Sequence, residues 1–157
     1  MLAWGVLMLL PLAAACTATA VRPYLTPFPE APTDTLQADA AALVIDLSGL
    51  LTAEGLRVRN VSAEEGYLET GWYDVVARRP VRSFGSDVNR YIRLRFFVDP
   101  VNPLLTQLVS EAVMRRTIDP SLPDREAEVT VPPGHEGDLL LGRIRDALRS
   151  RYGAPAP

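Results

Sequence analysis

Residues 90–98 alternate without a break. Ile92, Leu94, Phe96 and Val98 fall on one parity, Tyr91, Arg93, Arg95 and Phe97 on the other. Side chains of an extended strand point alternately to opposite faces, so this pattern describes a half-buried β-strand with an apolar face and a basic face. A strand of this kind needs neighbours, and the chain supplies them. Residues 56–61 alternate Leu56 and Val58 against Arg57 and Arg59. Residues 67–76 place Leu68, Thr70 and Trp72 opposite Tyr67, Glu69, Tyr73 and Val75. The polar stretch 62–66 ends in Gly66 and joins these two as a hairpin.

Helices close both ends of this region. Leu36, Ala40, Leu43, Val44, Leu47, Leu50 and Leu51 recur at steps of three and four, which predicts an amphipathic helix over 35–54. Asp34 and Gln37 read as its capping pair and Gly55 as its stop. Leu140, Leu141, Ile144 and Leu148 predict a last helix, capped by Asp138 and stopped by Gly153. Residues 78–89, with Pro80 and Gly85, read as a mobile loop. Residues 99–103 read as a turn, 126–131 as a short edge segment and 132–137 as a rigid turn. Residues 104–118 carry two patterns. Leu104, Leu105, Leu108, Val109, Ala112 and Val113 fit a helix, whereas Val109, Glu111, Val113, Arg115 and Thr117 alternate as a strand. The order predicts an α+β two-layer sandwich: an antiparallel meander of three or four strands, with an N-terminal and a C-terminal helix on one face. The other face is expected to be open. It would carry a basic patch of Arg57, Arg59, Arg93 and Arg95 interleaved with Tyr67, Tyr73 and Phe97, or else a solvated face whose arginines pair across strands with acids such as Glu69. Arg93, Arg95, Tyr73 and Phe97 are the expected partner-contact residues, since Arg and Tyr are favoured at interfaces.

The N-terminus sets compartment. Residues 1–15 carry no charged side chain, and an apolar run is followed by Pro11 and the small residues Ala13, Ala14 and Ala15 before Cys16, the only cysteine. The run is too short to span a bilayer, which takes about 20 apolar residues, and has the order of a secretory signal. It resembles the lipobox of bacterial lipoproteins. That resemblance implies cleavage before Cys16, acylation of Cys16 and attachment to a membrane. Thr17 in place of Asp is compatible with the outer membrane, periplasm-facing. Ala13 stands where the family usually has Leu, and no Lys or Arg precedes the run. A Pro-rich spacer follows, with Pro23, Pro27, Pro29 and Pro32, although Tyr24, Leu25 and Phe28 are alternatively available to pack on the domain. The expected division is a signal at 1–15, a lipidated tether at 16–33, one domain at 34–153 and a frayed tail at 154–157.

Chemistry-bearing constellations are sparse. The single histidine, His135, lies in a Gly/Pro loop, which leaves poor material for a metal site or a nucleophile–His pair. No cofactor and no catalytic residue is indicated. Net charge is −3 with 16 basic residues, all Arg, which speaks against general nucleic-acid binding.

The stretch Gly66-Tyr67-Leu68-Glu69-Thr70-Gly71-Trp72, followed by a loop and Arg90-Tyr91-Ile92-Arg93-Leu94-Arg95, resembles the BamC (NlpB) lipoproteins of the outer-membrane β-barrel assembly machinery. Their domains run helix, strand, a Gly-x-Leu-x-Thr-x-Trp-like strand, an Arg-containing strand and a closing helix. The resemblance covers about residues 35–152. It favours a strand over 107–117 and implies a non-enzymatic scaffold with an envelope protein as partner. A lipid- or small-ligand-binding module is the alternative, with a pocket bounded by Leu43, Leu47, Leu68, Trp72 and Phe96.

Overall fold

The computed structural model describes residues 26–117, 119 and 121–153. The strand at the centre of the sequence is also the centre of the sheet. Strand β6, Tyr91–Asn102, pairs along its length with β7, Leu105–Arg115, across a two-residue turn at Pro103 and Leu104. Eight antiparallel strands are built around this hairpin. Strand β1, Thr33–Leu36, adds to the first half of β7, and β8, Glu128–Thr130, adds to its second half. On the other side, β6 pairs with β3, Tyr67–Thr70, which pairs with β2, Val58–Ser62. The short pair β4, Tyr73–Asp74, and β5, Arg79–Pro80, extends the far end of β6. The main strand order is β1-β7-β6-β3-β2.

Helix α1, Ala40–Ala53, and helix α3, Glu136–Tyr152, pack on one face; a single-turn α2 covers Asp124–Ala127. Leu43, Val44, Leu47 and Leu51 of α1 and Leu140, Leu141, Ile144 and Leu148 of α3 share one core with Leu36, Leu68, Ile92, Leu94, Phe96 and Leu108 of the sheet. The architecture is the expected α+β sandwich, with a wider sheet than a three- or four-stranded meander.

The differences have local causes. Residues 33–36 form an edge strand and not the first turn of a helix, because Asp39 caps α1 by accepting from the Ala42 N–H at 3.0 Å. The expected strand 67–76 is broken at Gly71 and Trp72. Leu68 sits opposite Phe96, and Tyr73 opposite Ile92, so β3–β4 carries one residue more than β6 over the same span. That extra residue reverses the parity, sending Tyr73 into the helix-side core and Trp72 to the other face. Residues 105–115 are strand, ending the competition with a helix. Pro100 lies inside β6 beside an irregularity between Pro100 and Asn102, where a missing N–H is tolerated. Asp138 does not cap α3. His135 does, its Nδ1 accepting from the Gly137 N–H at 3.0 Å while its Nε2 lies 2.7 Å from the Asn89 carbonyl.

Gly66 closes the β2–β3 turn at φ +61°, and a Cβ there would lie 1.9 Å from the Val98 carbonyl oxygen. The first strand is clamped to the last helix. Asp34 accepts from Arg145 at 2.8 Å and from Arg149 at 2.8 Å, the Gln37 N–H donates to the Tyr152 carbonyl, and the Tyr152 hydroxyl donates to Asp46 of α1. Burial alone would raise the Asp34 carboxyl, but the hydrogen bonds from Arg145 and Arg149 outweigh it and hold it below the ordinary carboxylate value.

Candidate functional site

On the sheet face away from the helices, pairing sets Asn60, Glu69, Arg95 and Glu111 side by side across β2, β3, β6 and β7. Same-face neighbours on paired strands lie close enough to interact, and here they do. Asn60 Nδ2 donates to Glu69 Oε1 at 3.0 Å, and Arg95 Nε donates to Glu69 Oε2 at 2.8 Å. Arg95 then turns its fork to Glu128 of β8, with Nη1 to Oε2 at 2.7 Å and Nη2 to Oε1 at 2.9 Å. Arg93 Nη1 reaches Asp124 at 3.2 Å and Glu128 at 3.3 Å, and its guanidinium carbon lies 4.5 Å from the Trp72 ring centroid. The Tyr67 hydroxyl donates to Glu69 at 3.2 Å, and its ring meets Phe97 at 5.4 Å.

Two distant pieces of chain cover this layer. Residues 121–130 bring Asp124 and Glu128. Residues 26–32 are held by Arg125, which donates to Glu111 Oε2 and to the Thr26 carbonyl and stacks 3.6 Å over the Phe28 ring; the Phe28 N–H donates to Glu111. Part of the expected tether is thus docked on the domain through Phe28. Tyr24, Leu25 and Cys16 lie outside the described residues.

The expected contact residues are therefore not a solvent-facing patch. Arg93 is 2% exposed, Arg95 1% and Phe97 0%, and Tyr73 is buried on the opposite face. The physical reason is charge balance from far along the chain. Isolated Arg side chains at these positions would demand water, but Glu69, Glu111, Glu128 and Asp124 answer them, and the ion pairs are roofed over. Burial alone would lower the Arg95 pKa; the hydrogen bonds and charge of Glu128, then of Glu69, reverse this and raise it. Burial, with Glu69 beside it, also raises Tyr67. Every carboxylate in the layer faces a guanidinium, so the arrangement fixes positions. The sequence alone does not bring Glu111 or Glu128 to these arginines. For Glu111 the signal was its strand parity, which places it opposite Arg95 once residues 107–117 pair with 90–98.

Of the expected basic patch, only Arg57 and Arg59 remain exposed. The residues expected to bound a ligand pocket do not share one face: Leu43, Leu47, Leu68 and Phe96 are fully buried in one cluster, and Trp72 lies on the other side of the sheet. Among the described residues no cluster of His, Cys, Asp and Glu could hold a metal ion, and no helix is long and apolar enough to cross a membrane. No protein-family model matches the chain, and no curated protein matches it.

Proposed function

We propose that this chain is a lipid-anchored, periplasm-facing module of a bacterial envelope that works by interaction and not by catalysis, in the manner of the BamC-like lipoproteins it resembles. The observation that carries the reading is the uncharged run to Ala13-Ala14-Ala15-Cys16, the arrangement that precedes acylation in bacterial lipoproteins. Two acyl chains on Cys16 would make membrane attachment stable, at about 0.8 kcal/mol per buried methylene. A single domain whose buried charges are consumed in internal pairs supports a scaffold role. The partner-contact surface then falls on exposed residues and not on Arg93, Arg95, Tyr73 or Phe97.

The test is intact mass and membrane fractionation of the full chain, beside Cys16→Ser, in a bacterium that processes lipoproteins. The expected product begins at Cys16, carries two or three acyl chains and pellets with membranes; the variant does neither. An unmodified Cys16, or cleavage elsewhere, refutes the anchor.

A further inference from the structure

The stretch 75–90 holds Arg78, Arg79, Arg82 and Arg90 against one acid, Asp87, in a protein of net charge −3. The fold spends only one of these arginines internally. Asp74 accepts from the Val76 and Ala77 N–H groups at 3.0 and 2.9 Å and from Arg90 at 3.0 and 2.7 Å, which fills it. Burial alone would raise its carboxyl, but the Arg90 hydrogen bond, with help from the Ala77 N–H, holds it low and charged. The following loop is pinned as well. Phe84 stands edge-on to Trp72 and to Tyr91, and the Tyr91 hydroxyl accepts from the Gly85 N–H at 2.7 Å. Opposite, Arg57 is fixed by its carbonyl, which accepts from the Gly71 N–H at 2.7 Å.

These elements enclose a cleft of about 680 Å³ lined by Arg57, Asp74, Arg79, Arg82, Ser83 and Tyr91. Arg57, Arg79 and Arg82 are exposed, and among the described residues none of their guanidinium groups has a hydrogen bond or an ion pair. Arg90, Arg93, Arg95, Arg115, Arg125, Arg145, Arg149 and Arg151 each meet a carboxylate. Three unanswered like charges around one concavity repel each other and focus a positive potential into it. The turn that sets Arg79 in place is also strained. Arg78 has φ +49°, and among the described residues it is the one non-glycine with a positive φ. Left-handed backbone is unfavourable for a side-chain-bearing residue, and such outliers gather where binding geometry is held.

We propose that this cleft binds a phosphoryl group, carried on a small phosphate ester or on a lipid headgroup, with Arg57, Arg79 and Arg82 as its ligands. A phosphate monoester offers three oxygens and close to two negative charges, matching three guanidinium forks. The volume exceeds that of an inorganic ion and falls in the range of small-molecule sites. The site does not depend on the lipid anchor.

The test is calorimetric titration of the full chain at low ionic strength with three probes: glycerol 1-phosphate, glycerophosphoglycerol (the deacylated headgroup of phosphatidylglycerol) and succinate. The expected result is a Kd of about 1 mM or tighter for at least one phosphate, weakened by added salt. Arg79→Gln with Arg82→Gln should weaken it at least about tenfold, as loss of charge-assisted hydrogen bonds requires. Arg57→Gln, on the other wall, must weaken it too. All three side chains are exposed and unpartnered, so unchanged circular dichroism and thermal midpoints confirm intact folding. Preference for the monoester identifies a small phosphate ester, and equal or better binding of the diester identifies a headgroup. No phosphate binding at about 10 mM, succinate binding as tight as either phosphate, or binding indifferent to the arginine variants overturns the proposal.

Discussion

Replacing Glu128 by Gln tests whether the arginine–glutamate layer is a closed interior. The Glu128 side chain has no exposure and receives three hydrogen bonds, two from the Arg95 fork and one from Arg93. Gln keeps the shape, removes the charge and turns an amide donor toward guanidinium donors. Losing one member of a buried pair costs about 3–5 kcal/mol. Arg95 keeps Glu69 at 2.8 Å and Glu111 at 3.8 Å, so the lower end, about 3 kcal/mol, is expected here. A domain of this size loses about 4 °C of melting temperature per kcal/mol, which predicts a fall of roughly 12 °C. Urea unfolding followed by far-ultraviolet circular dichroism should show a lower midpoint with unchanged slope. Asp124→Asn is the control. Its side chain is 50% exposed although it also meets Arg93, so its loss should cost less than about 1 kcal/mol. If Glu128→Gln also costs less than about 1 kcal/mol, water reaches the layer and the face is open after all.

Two further outcomes follow from the backbone and from the strand–helix clamp. Gly66→Ala should cost at least about 2 kcal/mol by the same unfolding assay, since the new methyl meets the Val98 carbonyl backbone and φ stays positive. A loss under about 0.5 kcal/mol would mean that the turn relocates freely. Asp34 has a folded pKa below its unfolded value of about 3.9. Its contribution is therefore fully present above pH ~4 and disappears as the pH falls through the lower folded value. Asp34→Asn should lower stability at pH 7 by about 1–3 kcal/mol and flatten the acid limb of the stability–pH curve; an unchanged acid limb refutes the clamp.

Periodicity carried the fold where one face of an element is buried. Residues 40–53, 91–98 and 140–148 each show their core stripe in the chain itself. It failed where a backbone irregularity inserts a residue. Nothing in Thr70-Gly71-Trp72-Tyr73 announces the parity change except Gly71, and so simple alternation puts Tyr73 on the wrong face. It failed also where burial rests on sequence-distant charge. Arg93 and Arg95 alternate with apolar residues whether the sheet face is wet or roofed, and only Asp124, Glu128 and the docked Phe28 decide which. The exposed arginine cleft is not legible in spacing, because Arg57 and Arg82 come together only through the pairing of β2 with β3 and of β4 with β5.

The clamp between β1 and α3 has a consequence for the order in which the chain is made. A polypeptide delivered N-terminus first presents residues 33–36 long before 106–109, their strand partners, and longer still before Arg145, Arg149 and Tyr152. Until the last helix arrives, β1 has no lock and the apolar stripe of α1 lacks one of its two walls. Completion therefore waits on the final turn of α3, and a chain cut short of Tyr152 is not a smaller domain but an unclosed one.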